Sequence, residues 1–128
     1  MIGHKQFEIR ATTSVMLSQE DVDDIMCTAL EGGITYWCGR VEVLGERVRE
    51  MASEEISRGG TLRLYDAESD DAWDLNIEKF CNGFRLWMEN GGDRYGAVNA
   101  TRVDTSEIDG DMADMIIQYA IFGEVVFG

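Results

Sequence analysis

Three Gly-Gly pairs, Gly32-Gly33, Gly59-Gly60 and Gly91-Gly92, divide a chain that contains no proline. Each follows a run of apolar residues spaced with the 3.6-residue period of a helix. A residue without a Cβ is favoured at the left-handed position just past a helix. The pairs therefore read as three helix stops, and everything between them must fit into short elements.

The stretch from Phe7 to Leu17 has a different period. Phe7, Ile9, Ala11, Thr13, Val15 and Leu17 fall on one side and Gln6, Glu8, Arg10, Thr12 and Ser14 on the other, the alternation of a half-buried strand. Ser18 then offers an N-cap, with Asp21 as the reciprocal acid of a capping box. Val22, Ile25, Met26, Ala29 and Leu30 form the apolar face of a first helix that runs to Gly32-Gly33. Ile34 to Cys38 fits either a strand or another turn of helix. From Glu46 to Ser57, the residues Val48, Met51, Ala52 and Ile56 predict a second helix.

Thr61–Tyr65 and Ala72–Leu75 are the arms of a predicted hairpin, joined by the acidic run from Asp66 to Asp71. Asn76 caps a helix whose apolar face is Ile77, Phe80, Cys81, Phe84, Trp87 and Met88. Residues 93–108 show no period. Asp109 or Asp111 opens a last helix carrying Met112, Met115, Ile116, Tyr119 and Ala120, and Glu124 to Phe127 adds a strand. The expected fold class is α+β, a small antiparallel sheet with about four amphipathic helices packed on it in a single domain, 1–128. A chain of 128 residues buries about two-thirds of its unfolded surface, enough for one core without staples.

Charge is the second constraint. The chain holds 25 acidic residues against 11 bases, a net charge of -14. Seventeen of those acids lie in three blocks without Lys or Arg: Glu20 to Glu31, Asp66 to Glu78 and Asp104 to Glu124. Such blocks repel phosphate backbones and anionic lipid, so no direct nucleic-acid or membrane binding is expected, and a basic protein is the natural partner. Part of the acid has a local reason, because Asp21, Asp23 and Asp24, and later Asp109, Asp111 and Asp114, crowd helix starts where the macrodipole favours carboxylates. The hairpin loop lacks that reason, which makes Asp66, Glu68, Asp70, Asp71 and Asp74 the candidate protein-binding residues.

Catalytic chemistry finds little support. His4 is the only histidine, which removes the His-dependent triads and His-rich metal sites. The acids of the hairpin loop do not spell a calcium-binding EF-hand: counted from Asp66, the required Gly is Asp71 and the required Glu is Ile77. Paired carboxylates leave a glycosidase-like or metal-dependent enzyme as a minor reading. No catalytic residue, cofactor or metal is assigned. Cys27, Cys38 and Cys81 are odd in number and sit in apolar surroundings, as reduced core thiols do. No apolar run is long enough to span a bilayer and the start lacks a signal-peptide core, so a cytoplasmic location is expected.

Gly32 and Gly33 ahead of Tyr36 and Trp37 give the alternative site, a cradle for a nucleotide or other small ligand in which aromatics stack on a base or sugar. The blander reading is a helix stop followed by core aromatics. Surplus Met and aromatic residues on the later helices leave homo-oligomer formation open.

The segments Ala29-Leu30-Glu31-Gly32-Gly33-Ile34-Thr35-Tyr36-Trp37-Cys38 and Asp114-Met115-Ile116-Ile117-Gln118-Tyr119-Ala120-Ile121-Phe122-Gly123 resemble small uncharacterised acidic proteins of bacterial phages and mobile genetic elements. That resemblance carries no catalytic motif. It implies a setting in which short acidic proteins occupy the nucleic-acid groove of a host-defence enzyme. A duplex presents one negative charge per roughly 1.7 Å of axis, so such a mimic should display its carboxylates in a row on one face.

Overall fold

The computed structural model describes residue 3 and residues 5–128; His4 lies outside them. The order of elements is α1 (Gln19–Thr28), β1 (Cys38–Leu44), β2 (Thr61–Asp66), β3 (Ala72–Leu75), α2 (Ile77–Glu89), β4 (Val98–Asn99), β5 (Arg102–Val103) and α3 (Gly110–Phe122). Strands β1, β2 and β3 form an antiparallel sheet in that order, and β4 pairs with β5 as a separate two-residue ribbon. The class is α+β, with three α-helices among the described residues in place of about four.

Alternation in β2 fixes which face of the sheet is inside. Leu62 and Leu64 point to the core while Arg63 and Tyr65 point out, and the register aligns Leu62 with Leu75 and Arg63 with Asp74. Leu62, Leu64 and Leu75 of the inner face share one apolar cluster with Phe80, Phe84 and Trp87 of α2, Met112, Ile116 and Ile117 of α3, and Val22, Ile25 and Met26 of α1. Helices α2 and α3 cross at Gly83, where an added Cβ would lie 2.5 Å from the Ala120 backbone nitrogen. Only glycine lets the two backbones approach that closely. A second aromatic layer joins the sheet to the C-terminal tail: Phe127 stacks on Trp37 at 5.1 Å, and Trp73 meets Phe122 edge-on at 5.0 Å.

Several expectations fail for identifiable reasons. The segment from Phe7 to Leu17 forms no strand; Met16 N–H donates to the Thr101 carbonyl at 2.9 Å, but no sheet edge receives the rest. The expected helix from Glu46 to Ser57 is two single 3₁₀ turns, Ala52–Glu54 and Ile56–Arg58. Its first half is claimed by Glu55, a fully buried carboxylate that accepts the Val48 N–H at 3.0 Å and the Arg49 N–H at 2.8 Å. A helix would set residue 55 two turns, about 10 Å, from those amides, so the capture and the helix exclude each other. Val48 and Met51 consequently face solvent.

Gly59 and Gly91 do take positive φ, +87° and +74°, as helix stops require, but neither Gly32 nor Gly33 does. Helix α1 runs on instead through a π turn, Ala29–Gly33. Gly33 is needed there for proximity, since an added Cβ would sit 2.6 Å from the Gly110 carbonyl oxygen. Glu124 to Phe127 is not a strand, because its amides are taken by a side chain described below. The Ser18–Asp21 capping box and the Asn76 and Asp109 N-caps form as expected. Cys38 is buried and Cys27 half-buried, but Cys81 is exposed on α2 and so is not a core thiol. No described helix is long and apolar enough to cross a membrane.

Candidate functional site

Sequence patterns place Tyr36 and Trp37 together, and the fold adds two partners from α3. Asp114, almost wholly buried, accepts hydrogen bonds from Tyr36 Oη at 2.5 Å, Trp37 Nε1 at 2.7 Å and Gln118 Nε2 at 2.9 Å. Three donors and no cation hold it, so this carboxylate is satisfied by neutral dipoles. Gln118 in turn presents Oε1 to the Val126 and Phe127 amides at 2.7 and 2.8 Å and donates to the Phe127 carbonyl at 3.1 Å. A side-chain amide thus reads the tail's main chain as a strand would. Burial and the bond to Asp114 push the Tyr36 hydroxyl up to about 12.

These contacts bear on the alternative ligand cradle. The Trp37 ring is stacked on Phe127 and its N–H is committed to Asp114, while Gly33 is filled by Gly110. Gly32 lies in the π turn with nothing near its Cα that a side chain would meet. A shallow depression of about 480 Å³ is lined by Arg63, Tyr65, Ala72, Trp73, Asp74, Lys79 and Ile121. Another of about 370 Å³ lies over Val48 to Met51 and Glu54. Neither includes Gly32, Gly33, Tyr36 or Trp37.

The acidic hairpin loop divides into two kinds of residue. Asp66 is structural: its carboxylate accepts the Glu68 N–H at 2.9 Å and the Ser69 hydroxyl at 3.0 Å, closing the turn. Asp74 belongs to β3 and makes a two-point ion pair with Arg63, at 2.8 and 3.2 Å. The Arg63 guanidinium holds the Asp74 carboxyl below the usual carboxylate range. Glu68, Asp70 and Asp71 remain, exposed and without an ion-pair partner among the described residues.

The same sorting applies to the other blocks. Asp21 closes the capping box by accepting the Ser18 N–H, Asp109 is an N-cap, and Asp23 is paired with Arg58 at 3.0 Å. Across all three blocks only Asp21, Asp23, Asp66, Asp74 and Asp114 are withdrawn from full exposure. The blocks are also joined. Thr105 donates to Asp24 at 2.9 Å, tying the start of the third block to the first. Gly33 rests on Gly110, and Tyr36 bonds to Asp114. One residue further, Trp37 O accepts the Ala67 N–H at 2.8 Å, and an added Cβ on Gly39 would lie 3.1 Å from Ala67 Cα. The turn from Gly33 to Gly39 therefore touches the second and third blocks while continuing from the first. Half-exposed Tyr36 stands on that turn.

Asp114 and Gln118 escaped the sequence reading as a site, yet they left a signal. They are the two polar residues one turn apart in an otherwise apolar stretch, Met112 to Phe122, and polar groups buried in such a helix must find partners. Glu55 left none, since it stands in a polar run, Ser53 to Arg58, that only Ile56 interrupts. Burial pushes the Cys27 and Cys38 thiols up, away from reactive thiolate. Among the described residues no three His, Cys, Asp or Glu side chains converge as a metal site requires. No protein-family model, curated protein or solved structure matches the chain.

Proposed function

We propose that the chain is a non-enzymatic binding protein of a phage or mobile element that engages a basic, nucleic-acid-handling protein through its acidic surface. The observation that carries this reading is the junction at Gly33 to Gly39, where segments bearing all three acid blocks come into contact. Self-neutralisation is slight: of the six ion pairs among the described residues, only Arg58–Asp23 and Arg63–Asp74 involve a block acid. Unpaired carboxylates on these joined segments raise the negative potential of the surface, which steers a basic partner and supplies the salt dependence of its binding.

The test is capture of the partner from the native cell at low and high salt, followed by competition with duplex DNA for that purified partner. Salt should release the partner, and duplex DNA should displace this protein from it. The triple variant Glu68→Gln, Asp70→Asn, Asp71→Asn should bind about tenfold more weakly with unchanged thermal stability, since each exposed charge contributes a fraction of a kcal/mol. Salt-insensitive binding, or simultaneous binding of DNA and this protein, refutes the proposal.

A further inference from the structure

The segment Lys5 to Leu17 is the one strongly patterned stretch that the fold leaves unused. It has no helix, strand or turn, yet its root is anchored by Val15 and Leu17 packing against the core and by the Met16 bond to Thr101. Beyond that root Phe7 is 77% and Ile9 87% exposed. Glu8 and Arg10 meet at 3.1 Å on the opposite side, as side chains two apart do on an extended chain. Apolar alternation on a backbone with open N–H and C=O groups is a template for pairing with another strand.

We propose that residues 6–12 pair antiparallel with the same residues of a second copy of this chain, about a two-fold axis through Ile9. Self-complementarity selects that occupant and that register. With the axis at Ile9, Glu8 faces Arg10 of the second copy, and the symmetry makes this pair twice; Phe7 faces Ala11 and Gln6 faces Thr12. An axis at residue 8 sets Glu8 against Glu8, and one at residue 10 sets Arg10 against Arg10, both unfavourable cross-strand pairs. An axis at Ala11 asks Phe7 to meet Val15, which is already packed on the core. Half-step registers lay the apolar face of one strand against the polar face of the other. Long-range charge agrees: in a chain of net charge -14, residues 5–17 carry Lys5 and Arg10 against Glu8, so two copies repel least where these arms meet.

A two-stranded ribbon is marginal by itself, so the dimer should be weak, with Kd on the order of 10 to 100 μM, as for small interfaces. Sedimentation velocity of the full chain across concentrations bracketing that range should show monomer and dimer in exchange. Glu8→Arg should weaken association about tenfold by creating two like-charge pairs, and Glu8→Arg with Arg10→Glu should restore it. Thermal unfolding should not move in either variant. In a Cys81→Ser background, mild oxidation should cross-link Ile9→Cys to itself, because residue 9 faces its own copy, and should leave Ala11→Cys without a cross-link. A monomer at every concentration, a double reversal as weak as the single one, or equal cross-linking at residues 9 and 11 overturns the proposal. The last two are also the outcomes expected if the arm instead joins a sheet edge of the second copy.

Discussion

Replacing Tyr36 by Phe removes one hydroxyl and leaves the ring, which isolates the bond between a half-exposed turn and the buried Asp114. In the folded chain that hydroxyl is pushed up to about 12 from its ordinary 10.0. At about 1.4 kcal/mol per pKa unit the native state favours the protonated form by at most about 2.7 kcal/mol. Tyr36 is 54% exposed, so solvent screening reduces the usable part to about 1 to 1.5 kcal/mol, near the lower end for a hydrogen bond to a charged acceptor. Because the folded pKa is raised, this stability is fully present below the unfolded value of about 10 and is lost as pH climbs through about 12. Urea unfolding of wild type and Tyr36→Phe in parallel should show that difference at pH 7, constant to pH 9, and closing between pH 10 and 12. Absorbance at 295 nm should show a tyrosine ionisation near pH 12 in the wild type that Tyr36→Phe lacks. A difference near zero at pH 7, or one unchanged through pH 12, refutes the assignment of Tyr36 as donor to Asp114.

Two further substitutions test the packing and the loop. Gly83→Ala drives a methyl into the Ala120 backbone; overpacking outweighs the gain in helix propensity, so urea unfolding should report a loss of about 2 kcal/mol. Glu55→Ala leaves the Val48 and Arg49 amides without their acceptor and should cost about 2 to 3 kcal/mol, with amide exchange at both residues accelerated. Glu55→Gln keeps one acceptor oxygen and should cost less than half of that.

The elements legible in the sequence were those in which local chemistry and the apolar period agree. Helix α2 has an Asn76 cap, a wide apolar face and a Gly91 stop, and it forms as read. The hairpin arms of β2 and β3 alternate and are joined by turn-forming residues, and they pair antiparallel as a hairpin does. Strand β1 was missed because its inward Val41 and Val43 are separated by Glu42 and preceded by a bulge between Cys38 and Arg40, too short a pattern to stand out. The segment from Glu46 to Ser57 carries a helical period that a buried carboxylate from its own far end overrides. A sequence window contains the period but not the competitor.

For the candidate surface the division is similar. Net charge, the three blocks and the caps at Ser18, Asn76 and Asp109 are properties of neighbours in the chain, and sequence alone determined them. Which acids stay free was decided by contacts between residues far apart in the chain: Arg58 neutralises Asp23, Arg63 neutralises Asp74, and Tyr36 with Trp37 encloses Asp114. The alternating arm from Phe7 to Leu17 shows the limit most clearly. Its pattern is that of a strand, but a strand exists only where another backbone supplies hydrogen bonds, and the described residues offer it none beyond Thr101.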